Sequence, residues 1–485
     1  MDLAITLDPQ VALPLHRQLY EELRRAILTG RLMSGQRIPS TRTMAQSLGI
    51  SRATVTLSYE QLLSEGYLQA VRGSGTFVCQ QLPDDLLEPA PIKSIAEAAP
   101  LPKQLSAYGA SLTTNDLLRP KEPEAMIHFR YGRPAIDHFP LKLWRRLLSR
   151  HCRFSSDIFG YAKDSRGYKP LREAIASYIS RSRAVQCEPD QVIIVSGSQQ
   201  ALDLVTRLLI DRGDWIAMED PGYLGARRTF LAQGACLHPV AVDESGFMVK
   251  SLATAPGAIK LVYVTPSHQF PTGAILSLPR RLELLAWAQK TGATIIEDDY
   301  DSEYRYSDRP IPALQGLGSS DSVVYISTFS KVLFPALRMG YLVVPPSLVQ
   351  VCDRAKWLTD RQSPLLEQYV LTDFIKEGHL ERHIRRMRNL YDQRRRTLVQ
   401  CLLQHLGEQV TILGENAGLH LMIRLHTHLS ERDILNRAAQ VGVGLIPASF
   451  YYLKSGSRNE FVLGYTELDE PQIQEGVRRL CQALS

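Results

Sequence analysis

Lys331 stands in Thr328-Phe329-Ser330-Lys331, is followed by Pro335-Ala336-Leu337-Arg338-Met339-Gly340-Tyr341, and is preceded by the acidic run Glu297-Asp298-Asp299-Tyr300. A lysine amine forms a Schiff base with an aldehyde. Hydroxyls and an arginine hold a phosphate, and an upstream aspartate keeps a pyridine nitrogen protonated so that the ring withdraws electrons. This set has the layout of a pyridoxal 5'-phosphate site. A second phosphate-type element, Ser196-Gly197-Ser198-Gln199-Gln200, follows an apolar run and opens Ala201-Leu202-Asp203-Leu204, so that backbone N–H groups and Ser198 face an anion. By itself that string says no more than a strand-to-helix turn.

These residues need a scaffold, and the chain from Ile127 onward supplies the pattern of one. Short apolar runs alternate with helical periodicity at Val192–Val195, Trp215–Met218, Ile259–Val264, Thr294–Ile296 and Val323–Ile326. Strands of this length separated by helices predict an α/β domain with a mainly parallel central sheet. Asp298 and Lys331 each follow such a run, at the edge where these sheets bind ligands.

The first eighty residues read differently. Leu15, Leu19, Leu23, Ala26 and Ile27 fall at helical spacing and Gly30 closes the run. Gly35 and Pro39 make a turn, Ser40 caps a short helix through Met44, Ala45 and Leu48, and Gly49 turns the chain before Ser51 caps a third helix. There Val55, Tyr59, Leu62 and Leu63 face inward, while Arg52, Thr54 and Thr56 stay outside, where a recognition helix meets DNA. Gly66 to Val78 reads as two strands around a glycine-rich tip that carries Arg72, suited to a minor groove. Between these regions, from Gln80 to about Glu124, periodicity fails, prolines recur at 83, 89, 91, 100, 102, 120 and 123, and Tyr108 is the only aromatic residue. Such a stretch predicts a tether without a core of its own. The expected division is a DNA-binding domain over 12–80, a linker over 81–124 and an effector domain over 125–485.

Composition sets outer bounds. The chain has 485 residues, 44% of them hydrophobic and 22% charged, which is enough for two sizeable cores. Its seven cysteines form no C-x-x-C pair, so neither a zinc site nor a disulfide framework is supported and no metal is expected. No apolar stretch reaches membrane-span length, and the expected location is the cytoplasm. A net charge of +6 leaves any nucleic-acid surface to local clustering.

The ordered string Gly35-x-x-Ile38-Pro39-Ser40-x-Arg42, Ser51-Arg52-x-Thr54-Val55, Glu65-Gly66-Tyr67 and Gly73-Ser74-Gly75-Thr76-Phe77-Val78 resembles the winged helix-turn-helix of GntR-type bacterial repressors. That resemblance implies DNA contacts from Arg42, Ser51, Arg52, Thr54, Arg72 and Gly73. From about residue 127 the chain resembles the class I aminotransferase fold, on Phe159-Gly160-Tyr161, Leu171-Arg172, Glu219-Asp220-Pro221-Gly222-Tyr223 and Thr265-Pro266-Ser267-His268-Gln269-Phe270-Pro271-Thr272-Gly273. By resemblance Tyr223 stacks on the cofactor ring, Asp298 pairs with its nitrogen and Tyr300 reaches its phenolic oxygen. Gly197, Ser198, Gln199, Thr328, Ser330 and Arg338 lie at or near the phosphate, Lys331 holds the aldehyde, and Tyr161 crosses to a neighbouring subunit of a homodimer. Two departures stand out. Phe270 occupies the place of a usual asparagine, so that its hydrogen bond must come from Tyr300 or His268. Glu460 to Tyr465 is apolar where an arginine for a substrate carboxylate is expected, which leaves Arg227, Arg424 and Arg458 as candidates.

Together the parts resemble the MocR/GabR-type branch of the GntR regulators, within which His-Gln-Phe-Pro-Thr-Gly is the expected form. The resemblance implies a pyridoxal-phosphate-dependent transcriptional regulator that binds a double-stranded operator and senses an amino compound or the cofactor itself. The alternative is an aminotransferase carrying a DNA-binding domain, and residual transaminase activity stays open.

Overall fold

The computed structural model describes residues 5–84, 104–113, 125–154, 160–306, 311–318, 321–454 and 459–484. The chain divides into two compact units, Met1–Gln104 and Leu105–Ser485.

In the first unit, helices Leu15–Leu28, Thr41–Leu48 and Arg52–Ser64 are followed by strands Leu68–Val71 and Gly75–Val78. The two-residue strand Arg37–Ile38 joins them in a three-stranded antiparallel sheet with Gly75–Val78 in the middle. Each predicted cap is formed: Ser40 Oγ accepts from the Thr43 N–H at 3.2 Å, and Ser51 Oγ accepts from the Thr54 N–H at 3.1 Å. Gly49, at φ 66°, takes the left-handed conformation that the short turn between the second and third helices requires. Leu19, Leu23, Val55, Tyr59, Leu62 and Val78 share one buried core. The Tyr59 hydroxyl donates to the Pro39 carbonyl at 2.9 Å, which ties the third helix to the turn before the second.

The second unit is built on an eight-stranded sheet. Its order is Val192–Val195, Gly340–Val343, Val323–Thr328, Thr294–Asp299, Ile259–Val264, Trp215–Asp220, Cys236–Asp243 and Gly246–Phe247. The four pairings among Val323–Thr328, Thr294–Asp299, Ile259–Val264, Trp215–Asp220 and Cys236–Asp243 are parallel, and Gly340–Val343 runs antiparallel to both its neighbours. Val192–Val195, Gly340–Val343 and Val323–Thr328 are buried along their whole length, and Thr294–Asp299 at every residue but the first, as expected of a sheet covered on both faces. The strands exceed the predicted runs at their C-terminal ends, because Glu219-Asp220, Glu297 to Asp299 and Ser327-Thr328 continue the ladder with polar residues. A second sheet, ordered Val410–Leu413, His420–Leu425, Glu460–Gly464 and Ile446–Pro447, packs with helices His379–Leu406 and Glu470–Leu484 around another core.

Within the stretch expected to be a tether, residues 104–113 carry a short helix, Ala107–Ser111, capped by Ser106, whose Oγ accepts from the Gly109 N–H at 3.1 Å. This segment belongs to the second unit, and Ser111 Oγ donates to the Ala232 carbonyl at 3.0 Å.

Candidate functional site

The C-terminal ends of three parallel strands set the site. On Thr294–Asp299 successive side chains point to opposite faces, so Asp298 and Asp299 separate. Asp299 is bound by the Arg183 Nε–H at 2.8 Å and by the Tyr325 hydroxyl at 2.6 Å, a buried ion pair behind the sheet. Asp298 faces a cavity of about 820 Å³. Ile296 pairs with Tyr263 on the neighbouring strand, and Asp298, two residues along, lies on the same face. The Tyr263 hydroxyl donates to Asp298 Oδ2 at 2.8 Å, while the buried Oδ1 has no hydrogen-bond partner. Burial pushes the Asp298 carboxyl up to about 7, opposed by the Tyr263 hydrogen bond. A cationic N–H donor at Oδ1 restores the carboxylate, which is what a protonated pyridine nitrogen offers.

Lys331 follows Val323–Thr328 and lines the same cavity, its Nζ donating to the Gly132 carbonyl at 2.8 Å. Burial lowers its pKa from the ordinary lysine value, with Asp301 and Asp298 acting in the opposite direction. A desolvated amine of this kind is the more nucleophilic form. Gly132 takes φ 73°, a left-handed conformation that side chains rarely adopt, and a β-carbon there would also displace the end of the Lys331 side chain. Gly464 is required for a different reason: a β-carbon on it would overlap the Arg130 carbonyl. This close backbone crossing brings Arg130, Tyr131, Gly132 and Arg133 to the cavity wall.

At the phosphate-type end, Gly197 has φ 88° and caps the helix Ser198–Leu209, whose first turn presents backbone N–H groups. Arg338, itself left-handed at φ 47°, lies against Gly197 and donates to the Ser196 carbonyl at 2.8 Å. Ser198, Thr328 and Arg338 line the cavity. Ser330 is buried just behind, its N–H bonded to Thr328 Oγ1 at 3.1 Å and its Oγ without a partner. The Gln199 side chain turns outward to Thr229 Oγ1 at 2.5 Å, so only its backbone belongs to this corner.

Tyr223 and Tyr300 form opposite parts of the wall, with Phe270 between them at ring-centroid distances of 6.1 and 6.3 Å. The Tyr300 hydroxyl lies 3.0 Å from the His268 carbonyl and 3.1 Å from His268 Nδ1. His268 is bonded to Asp301 at 3.0 Å, both fully buried. Gly418 makes room for them: at φ 82°, it carries no β-carbon that would overlap the His268 ring. His268, Asp301 and His420 offer donor atoms within 4.8 Å of one another. His268 Nδ1 meets Asp301 while its buried Nε2 has no hydrogen-bond partner, and His420 Nε2 lies 3.1 Å from the Pro271 carbonyl. Burial, with His268 alongside, holds His420 well below the usual histidine pKa.

Of the sequence-predicted residues, Ser198, Tyr223, Asp298, Tyr300, Thr328, Lys331 and Arg338 meet at one cavity, while Gly197, His268 and Ser330 do not line it but touch Arg338, Tyr300 and Thr328, respectively. Tyr161 stands apart: it is 79% exposed, under the Arg361 guanidinium at 4.8 Å. Of the three candidate carboxylate arginines, the two that are described, Arg227 and Arg424, do not line the cavity. Arg227 donates to the Tyr452 carbonyl, Arg424 pairs with Glu460 at 2.7 Å, and Arg458 lies outside the described residues. Sequence reasoning missed Arg130, Gly132, Arg133, Tyr263 and His420. For Tyr263 a signal existed in the alternation of its strand against that of Asp298. For Gly132 the string Tyr131-Gly132-Arg133-Pro134 after an apolar run was a turn signal.

In the first unit Arg42, Ser51, Arg52, Arg72 and Gly73 are exposed, and Thr54 is half-buried beside the Ser51 cap. Arg52 Nε–H reaches Thr41 Oγ1 at 3.3 Å, which links the starts of the second and third helices. Gly73, at φ 78°, forms the tip of the hairpin. Arg37, which sequence reasoning passed over, lies over Gly75 where a β-carbon would come 2.7 Å from its Nε.

A winged helix-turn-helix unit and a sheet of this order with a lysine, an aspartate and an arginine around one cavity define a DNA-binding regulator fused to an aminotransferase-like domain. The family of bacterial regulatory proteins named for gntR matches residues 15–78, and aminotransferase class I and II matches residues 132–480. The chain is 42% identical over 482 residues to the probable rhizopine catabolism regulatory protein MocR of Rhizobium meliloti, covering 99% of this chain and 95% of that one. It is 31% identical over 484 residues to the pyridoxine biosynthesis transcriptional regulator PdxR of Corynebacterium glutamicum, covering 100% and 99%. Among solved structures, the α-aminoadipate aminotransferase of Thermus thermophilus, complexed with N-(5'-phosphopyridoxyl)-L-leucine, superposes with a TM-score of 0.71 at 29% identity, covering 78% of this chain and 97% of that one. The chain therefore belongs to the GntR family of bacterial regulators, in its MocR-type branch with an aminotransferase class I and II domain. No described helix is long and apolar enough to cross a membrane.

Proposed function

We propose that the large unit holds pyridoxal 5'-phosphate at Lys331, and that occupancy of this cavity by the cofactor, or by an amino compound reacting with it, changes how the winged heads of a homodimer bind an operator in the cytoplasm. The observation that carries the reading is the buried, unpartnered Oδ1 of Asp298 in the same cavity as Lys331. When bound, the cofactor supplies an aldehyde for amines and an electron-withdrawing ring. The chain's own residues do the rest. Asp298, braced by Tyr263, balances a protonated ring nitrogen. Ser198, Thr328, Ser330 and Arg338, with the N–H groups of Gly197 to Gln199, receive the phosphate. Tyr223 covers the ring, Tyr300 meets its phenolic oxygen with His268 and Asp301 behind, and Tyr161 reaches the partner's site. In the head, Arg42, Ser51, Arg52, Thr54, Arg72 and Gly73 meet DNA.

Regulation requires no turnover, because a ligand shifts an equilibrium by its unequal affinity for two conformations. The full set of cavity residues also favours a second reading, an aminotransferase with a DNA-binding appendage. The strand Glu460–Gly464 carries no arginine, and the guanidinium groups on the cavity wall besides Arg338 are those of Arg130 and Arg133, which serve a carboxylate in either reading. Sustained keto-acid release from amino donors would select that reading. For the first, protein saturated with pyridoxal phosphate shows visible absorbance, and borohydride reduction fixes the adduct on Lys331. Lys331→Ala abolishes both. Unchanged absorbance in that variant, with the adduct on another lysine, refutes the assignment.

A further inference from the structure

The cavity is connected to the tether by one helix, Leu224–Gln233. Its N-cap is Tyr223, which lines the cavity, and Gly225 lets the Tyr223 ring lie back over the first turn: a β-carbon there would come 2.5 Å from the ring. Two further contacts grip the same helix from the ligand side. Gln199, the second residue of the helix that begins at the phosphate-type corner, donates to Thr229 Oγ1 at 2.5 Å. Arg227 donates to the Tyr452 carbonyl at 3.1 Å, next to Tyr451, whose ring lies 4.9 Å from Phe270 on the cavity wall. At the far end of the helix, the Ala232 carbonyl accepts from Ser111 Oγ at 3.0 Å, which seats Ala107–Ser111. Ten residues at 1.5 Å each make this helix a strut of about 15 Å between the ligand wall and the tether.

The seated segment is held lightly. A helix of five residues is far below the length that persists alone in water, so Ala107–Ser111 depends on its seat. That seat is small: only Gly109 and Ser111 are half-buried, while Leu105, Tyr108 and Leu112 remain 56%, 50% and 48% exposed. Coupling between sites of the usual size, a factor of about five or more, is enough to shift a contact of this kind. It also lies in the stretch of chain that leads from the winged unit to the aminotransferase-like unit.

We infer that the outer face of Leu224–Gln233 is a docking site for residues 105–112 of this chain, and that ligand contact at Tyr223 and the Ser198 corner sets how firmly the tether is seated there. The inference rests on the proposed cofactor site. Linkage makes it reciprocal: if the ligand changes seating by some factor, unseating changes ligand affinity by the same factor.

Hydrogen exchange of the backbone amides in residues 107–113 is measured on the full chain, without and with saturating pyridoxal phosphate, and cofactor affinity is followed by absorbance. The expected result is a change in exchange of these amides of at least about fivefold on saturation. Ser111→Pro, which ends the helix and removes the hydroxyl, shifts cofactor affinity by a matching factor, and Ser111→Thr, which keeps the hydroxyl, does not. Equal exchange with and without cofactor, while absorbance shows a filled site, overturns the docking inference alone. Absence of any cofactor absorbance in the unmodified chain overturns the proposed function and this inference with it. Matching cofactor affinity in Ser111→Pro and the unmodified chain also overturns the coupling.

Discussion

The two units display their functional residues in opposite ways. The winged unit puts Arg42, Arg52 and Arg72 in water on a small core, whereas the large unit buries Asp298 and crowds Lys331 against Gly132. An exposed arginine contributes through a polyanion that brings its own field, and salt screens it. A buried carboxylate contributes by being left short of a partner, and bulk salt scarcely touches it. On the proposed function, one unit is tuned by ionic strength and the other by the charge state of a small ligand.

The largest expected effect is at Asp298. Replacing one member of a buried ion pair typically costs about 3–5 kcal/mol, so Asp298→Asn lowers affinity for pyridoxal phosphate by two orders of magnitude or more in an absorbance titration. An affinity within threefold of the unmodified chain would break the contrast, because Asp298 would then not be paired with the ligand. Next is Arg52→Ala, which weakens binding to a selected duplex by about 1–3 kcal/mol and relaxes preference at one position. Arg72→Ala weakens binding across sequences and flattens the salt dependence. Both variants keep the absorbance of the large unit, and a change in it would show that the two devices are not separate. Ser51→Ala is smaller, removing a cap worth about 1 kcal/mol from the head alone, read as a lower thermal midpoint for its transition.

The smallest effect sharpens the comparison through pH. Glu219, Glu297, Asp298 and Glu303 are all raised by burial to about 7. A carboxyl raised in the folded state keeps its proton where the unfolded chain has lost its own. Its contribution is therefore fully present below the unfolded carboxylate range, near 4, and is lost as pH rises toward 7. Cofactor-free protein therefore loses stability across that window, and Asp298→Asn removes one share of the slope. A steeper slope in that variant contradicts the assignment.

What was legible follows the same divide. Short ordered strings, with Ser40 and Ser51 as caps and Gly49 at the turn, announced the head almost element by element. For the large unit, apolar runs located the strands and the residues at their ends located Asp298 and Lys331. Tyr263 was hidden because an aromatic residue inside an apolar strand looks like core until the neighbouring strand's register is known. Arg130 to Arg133 were hidden because they reach the cavity through a backbone crossing at Gly464, some 330 residues away in the chain. The helix Ala107–Ser111 was hidden because a five-residue segment has too few positions to show periodicity, and its order comes from Leu224–Gln233 instead.

The central claim is that occupancy at Lys331 changes how the head binds DNA. The direct measurement is affinity for a duplex selected by this chain from a random-sequence pool, at fixed salt, with and without saturating pyridoxal phosphate, for the unmodified protein and for Lys331→Ala. The account predicts an affinity that changes with pyridoxal phosphate in the unmodified chain and stays constant in the variant. Equal affinities in the unmodified chain, with absorbance showing the site filled, would contradict it.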